Sequence, residues 1–124
     1  TISSHDTPTL RQWWDEDWPR TQDYYNNVLQ KYGPAPHPLP GWLSRDIISR
    51  HLLSPSMLCI LSLQDWLSID ESLRLADKDS ERINVPSNPR HYWRYRMHID
   101  IEDLLESHDF NQNVTDLVKE SGRM

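Results

Sequence analysis

Apolar residues along this chain come in short, separated runs, and their spacing changes several times between Thr1 and Met124. The first run, ending at Ser3-Ser4, is strand-like and stops at an ionisable pair, His5-Asp6. Thr7 or Thr9 can then cap a helix, with Pro8 at a tolerated first-turn position. That helix is predicted to run through Trp13-Trp14-Asp15-Glu16-Asp17 and to stop near Trp18-Pro19. A second helix is expected from Arg20 or Thr21 to about Tyr32, with Tyr25, Val28, Leu29 and Tyr32 as its apolar stripe and Gly33 as its stop. Pro34 to Gly41 holds four prolines and reads as a stiff loop.

Leu43 to Leu53 again has helical spacing, with Leu43, Ile47, Ile48 and His51 or Leu52 on one face, until Ser54-Pro55 ends it. Met57-Leu58-Cys59-Ile60-Leu61-Ser62-Leu63 is a continuous apolar run. Such a run is the pattern of a parallel strand covered on both faces, although a buried helical segment has the same signature. Gln64-Asp65-Trp66-Leu67 follows at its end. Asp70 to Asp79 is charged and predicts a short helix and turn. Two prolines make Ile83 to Pro89 irregular. His91 to Met97 is aromatic and basic. Asp100 is placed to cap a helix over Ile101 to Ser107, and a last helix is expected from about Asn111 to Glu120, ended by Gly122. The order of elements predicts an α/β chain, a βα unit followed by another strand, which normally belongs to a larger parallel sheet. Two strands neither form a stable sheet nor close a barrel, so the whole of residues 1–124 reads as a single incomplete domain.

Composition adds two things. Hydrophobic content is only 36%, yet there are six tryptophans and five tyrosines, a balance that suits sugar or partner binding as well as core filling. The net charge of −6 and the absence of a basic stripe argue against nucleic acid as a partner. The basic-aromatic run from Arg90 to Arg96 is the one stretch that would suit single-strand stacking. A single cysteine, Cys59, permits no disulfide within the chain and points to a reducing, cytoplasmic compartment. No apolar stretch is long enough to span a bilayer, so no membrane association is expected. Asn113-Val114-Thr115 matches a glycosylation sequon without a context that would use it.

The candidate chemistry begins at His5-Asp6. An acid beside a histidine at a strand end can bind metal, form half of a relay, or grip a substrate. The six histidines are scattered, none at ligand spacing with another, which weakens a metal site. No Gly-x-Ser-x-Gly elbow is present, and Cys59 is flanked by apolar residues, which weakens a hydrolase triad. A carboxylate among aromatic side chains, of the kind that holds sugar hydroxyls, fits best. A purely structural role for the pair, next to a helix cap, stands beside it.

Ser4-His5-Asp6-Thr7-Pro8-Thr9-Leu10-Arg11-Gln12-Trp13-Trp14 resembles the His-Asp segment of the 4-α-glucanotransferases, the amylomaltase family (glycoside hydrolase family 77). Further blocks follow in the family's order: Gln64-Asp65, then Ser80-Glu81-Arg82-Ile83-Asn84-Val85-Pro86, then Trp93-x-x-Arg96. The wording from Asn88 to His98 is most similar to the disproportionating-enzyme-2 branch. The resemblance implies a helix-rich C-terminal fragment of a (β/α)8 barrel, with strand 7 ending at His5-Asp6 and strand 8 at Met57 to Leu63. It implies Asp6 as the transition-state-stabilising catalytic carboxylate and His5 as its substrate-binding neighbour. Asn84 would line the glucan groove, Gln64 and Asp65 would support that loop or touch sugar, and Trp93 and Arg96 would anchor loops or touch substrate. The family's nucleophile and general acid would lie upstream of Thr1, so the chain alone is expected to be inactive. No cofactor or metal is implied; the expected partners are α-1,4-glucans and maltooligosaccharides, and the isolated piece is expected to self-associate. The competing reading is a non-catalytic α-glucan-binding or helical interaction module.

Overall fold

The computed structural model describes residues 1–124. Six α-helices carry the chain: α1 (Leu10–Glu16), α2 (Trp18–Asp23), α3 (Gly41–Leu52), α4 (Leu63–Leu67), α5 (Ile101–Glu106) and α6 (His108–Glu120). A π-helical turn (Tyr24–Val28) continues α2, and a 3-10 turn (Lys78–Glu81) precedes the long irregular segment. None of these elements is a β-strand.

Local chemistry accounts for the helix ends. Thr9 caps α1 with a reciprocal capping box to Gln12. The first helix ends at Glu16, just before Trp18-Pro19 as expected; Asp17 then caps α2 and Pro19 sits in its first turn, where a missing N–H is harmless. The second helix also differs from its sequence pattern. Its π turn widens the spiral at Tyr24–Val28, so Tyr25 and Leu29 are buried while Val28 and Tyr32 are exposed. Gln30 then takes a left-handed φ of 57°, and the chain leaves the helix before Tyr32.

Helix α3 is the centre of the packing. Leu43 and Ile47 face a cluster with Leu10, Trp14, Tyr25, Leu29 and Leu39. Ile48 and Leu52 face a second cluster with Leu117 of α6. Ile2 touches both clusters, which fixes the extended residues 1–4 against the helices. Trp14 is fully buried and its Nε1 donates to the Pro36 carbonyl at 2.8 Å, so the proline loop is tied to the core. Such burial of a tryptophan contributes about 3–5 kcal/mol against truncation to alanine.

The apolar run Met57 to Leu63 forms no regular element at residues 58–62 and is unpaired, and Met57, Leu58 and Ile60 are exposed. The expected strand covered on both faces is therefore absent: no neighbouring strand or covering layer is present to satisfy it. The end of the run, Leu63, instead starts α4, because the Ser62 hydroxyl accepts from the Asp65 N–H as an N-cap. Met57 to Leu63 did not reveal this start, since a cap serine inside an apolar run reads as part of the run. Asp100 stands at the cap position of α5 but its side chain makes no cap bond, and α6 begins three residues before the expected Asn111.

Candidate functional site

His5 and Asp6 lie at the tip of a tight turn between the extended residues 1–4 and α1. The turn closes with Thr7 N–H donating to Ser4 O at 3.2 Å and Ser4 N–H donating to the Thr7 hydroxyl at 2.8 Å. This lifts both ionisable side chains out of the core, and each is about half exposed, at 54% and 48%. His5 Nε2 lies 3.1 Å from Asp6 Oδ2.

The irregular segment after the 3-10 turn is brought onto this tip. Asn84 N–H donates to His5 O at 3.0 Å, and Asn84 Nδ2 donates to Asp6 Oδ1 at 2.7 Å. One side chain thus holds the acid while its backbone holds the neighbouring residue. Arg82 strengthens the junction, with Nη2 donating to Asp6 O at 3.3 Å and Nε to Asn84 O at 2.7 Å. The Trp93 ring lies 5.5 Å from the His5 ring at 51°, and Trp93 is 61% exposed. Four residues singled out from sequence, His5, Asp6, Asn84 and Trp93, therefore meet on one open surface. The Asp6 carboxylate has roughly four acceptor positions and protein groups occupy one on each oxygen, so it retains capacity to accept from external hydroxyls.

Gln64 and Asp65 are elsewhere. Asp65 is fully buried; its Oδ1 accepts from Leu10 N–H at 2.9 Å and its Oδ2 from the Ser3 hydroxyl. Gln64 is buried and donates to the Glu81 carbonyl at 3.3 Å. Neither side chain opens onto the surface that carries Asp6. Ser3 and Leu10 lie on the two flanks of the His5-Asp6 turn, which makes Asp65 its support, while Gln64 holds the start of the segment that carries Asn84. Arg96 bonds only to the adjacent Tyr95 carbonyl, at 3.2 Å, and anchors no distant loop.

A further layer lies beneath. Glu81 is buried, accepting from the Thr9 hydroxyl at 2.8 Å and from Arg11 Nη1 at 2.6 Å. Burial pushes the Glu81 carboxyl above its ordinary value, against the opposing Arg11 charge and the Thr9 bond. The Tyr95 hydroxyl is likewise raised, by burial and then by the Glu81 charge. The Arg11–Glu81 pair joins α1 to the segment that carries Asn84. Arg11 and Glu81 stand in the recognised blocks, but nothing in either block says that they pair across 70 positions. No group of three or more His, Cys, Asp and Glu side chains is placed to hold a metal ion.

The sequence profile described as 4-alpha-glucanotransferase matches residues 1–102, most of the chain and all of the residues described above. The chain belongs to the 4-alpha-glucanotransferase family. Among the family's members, the 4-alpha-glucanotransferase DPE2 of Oryza sativa subsp. japonica is 36% identical over 121 residues, which cover 98% of this chain and 13% of the rice protein. A 4-alpha-glucanotransferase of Chlamydia caviae is 25% identical over 118 residues, covering 94% of this chain and 22% of that protein. One of Chlamydia pneumoniae is 29% identical over 112 residues, covering 90% of this chain and 21% of that protein. The chain thus spans less than a quarter of the length of these relatives. No solved structure matches it.

Proposed function

We propose that this chain supplies the transition-state-stabilising face of a retaining 4-α-glucanotransferase that moves α-1,4-glucan segments or glucose between maltooligosaccharides. The observation that carries the reading is the Asp6 carboxylate, held by Asn84 and His5 at an exposed turn beside the open Trp93 ring. In retaining glycosyl transfer a nucleophilic carboxylate and a general acid make and break the glycosidic bond through an oxocarbenium-like transition state. Those two groups belong to the part of the longer protein outside residues 1–124. Asp6 accepts hydrogen bonds from hydroxyls of the distorted donor sugar, and these bonds strengthen as positive charge develops on the ring. His5 and Asn84 fix the carboxylate so that no reorganisation is needed at that moment. Trp93 offers an apolar face for a sugar ring. Asp65 positions the turn from below, and Gln64 holds the segment that carries Asn84.

In the full-length protein, residues 1–4 and 57–63 are strands 7 and 8 of a (β/α)8 barrel. The exposed Met57, Leu58 and Ile60 and the unpaired backbone support this, since such an edge pairs when a partner strand is supplied. The same edge makes the isolated chain self-associate. The single cysteine fits a cytoplasmic setting, and no helix is long and apolar enough to cross a membrane.

The test is Asp6→Ala in the full-length protein. Transfer from maltooligosaccharides should fall by at least about 10²-fold in kcat, the effect of removing one preorganised transition-state group, with thermal unfolding unchanged. Near-normal turnover would remove Asp6 from the mechanism. A second reading, a non-catalytic glucan-binding module, draws on the exposed Trp18 and Trp42 rings. Saturable binding of maltoheptaose to residues 1–124 alone would favour it.

A further inference from the structure

Apart from Trp93, the basic-aromatic run is not accounted for by glucan transfer. Between Glu81 and Asp100 the chain has four arginines and no acidic residue, although the whole chain carries a net charge of −6. Three of those arginines, Arg82, Arg90 and Arg94, line one concavity of about 580 Å³, together with His91 and Tyr92. Its single carboxylate, Asp79, is already engaged by Lys78 Nζ at 3.8 Å and Gln12 Nε2 at 3.3 Å.

The arginines elsewhere show what is unusual. Arg11, Arg20, Arg45 and Arg50 each have a carboxylate partner within 4 Å, and Arg74 and Arg123 each donate to two or more backbone carbonyls; Arg82, Arg90 and Arg94 have no carboxylate partner, and the side chains of Arg90 and Arg94 make no hydrogen bond. Arg82 uses Nε and Nη2 on neutral carbonyls. Arg94 sits over the Tyr92 ring at 5.6 Å. Arg90 makes no side-chain bond. Three guanidinium groups gathered around one hollow repel one another unless an anion joins them. A phosphate monoester carries close to two negative charges and three acceptor oxygens, which matches planar, multidentate donors better than a carboxylate does.

We propose that this concavity binds a phosphate group carried by a sugar, either a free sugar phosphate or a phosphorylated glucan chain. The phosphate half stands on the three unpaired arginines. The sugar half rests on the glucan-transfer reading: Arg82 also holds the Asp6 carbonyl, which places the hollow directly against the glucan-binding turn.

The experiment titrates the full-length protein with inorganic phosphate, glucose 6-phosphate and a phosphorylated maltooligosaccharide, followed by calorimetry. Arg90→Gln and Arg94→Gln are made singly and together, since neither side chain touches the His5-Asp6 turn. Saturable phosphate binding should weaken by about tenfold with each substitution, the loss of one charge-assisted bond, while transfer from unphosphorylated maltooligosaccharide stays unchanged. Tighter binding of glucose 6-phosphate than of inorganic phosphate supports a free sugar phosphate; a gain confined to the phosphorylated oligosaccharide supports the glucan chain. Equal phosphate affinity in wild type and double variant overturns the site, as does displacement of phosphate by a lower concentration of random-sequence oligoribonucleotide. Arginine-dependent phosphate binding in a protein that transfers no glucan would overturn the glucan reading and keep the phosphate half.

Discussion

Asp65→Ala removes the support beneath the Asp6 turn. Asp65 is fully buried and accepts from two donors, Leu10 N–H and the Ser3 hydroxyl. Alanine removes both oxygens: the Ser3 hydroxyl can turn to the Ser62 hydroxyl 3.1 Å away, but the Leu10 N–H is fixed by the backbone and loses its charged partner. Losing the charge-assisted bond and leaving the Leu10 donor unsatisfied together amount to about 2–4 kcal/mol. The Leu10 amide reports this cleanly. As the first residue of α1 its N–H has no acceptor within the helix, and Asp65 is its hydrogen-bond partner. Hydrogen exchange measured by mass spectrometry on a peptide covering α1, in the full-length protein, should therefore accelerate about 30- to 900-fold at that amide. Transfer activity should fall as well, by about 10²-fold if the turn moves by about 1 Å. Exchange within about twofold of wild type, with unchanged turnover, would refute the view that Asp65 holds the turn.

Two further outcomes test the layer below and the helix that carries the core. Because burial raises the Glu81 carboxyl above its ordinary value of 4.5, the folded state binds that proton more tightly than the unfolded chain does. The stability it contributes is fully present below 4.5 and is lost as pH rises through the raised folded value. The stability difference between wild type and Glu81→Gln, followed by denaturation over a pH series, should therefore shift in favour of the variant as pH rises above that point; a shift toward wild type would contradict the burial argument. A methyl group on Gly41 would lie 2.6 Å from the backbone oxygen of Ile69, which cannot swing away as a side chain could. Gly41→Ala should destabilise by about 1–3 kcal/mol, seen as faster exchange of the α3 amides, and unchanged exchange would show that the backbone yields.

Legibility followed the range of the interaction. Thr9, Gln12 and Pro19 act within one turn of chain, so α1 and its cap were readable; α3 was readable from the spacing of Leu43, Ile47 and Ile48. The His5-Asp6, Asn84 and Trp93 blocks marked residues that meet at the exposed turn, because their types and order follow the family pattern. The π turn at Tyr24–Val28 was not readable, since it depends on how Tyr25 and Leu29 settle against Trp14 and Leu43. Nor was the fate of Met57 to Leu63: an apolar run states that it must be covered, and only neighbouring strands can cover it.

The sequence by itself determined which groups could do chemistry, because a carboxylate, an amide and an indole at set positions carry their donors, acceptors and ring faces wherever they go. Tertiary structure decided which of them meet. It set Asn84 on Asp6 across 78 positions. It buried Asp65 and Glu81 as supports, and it gathered Arg82, Arg90 and Arg94 around one hollow. The physical reason is that a hydrogen bond or ion pair depends on separation in space, and separation along the chain does not specify it until the helices have packed.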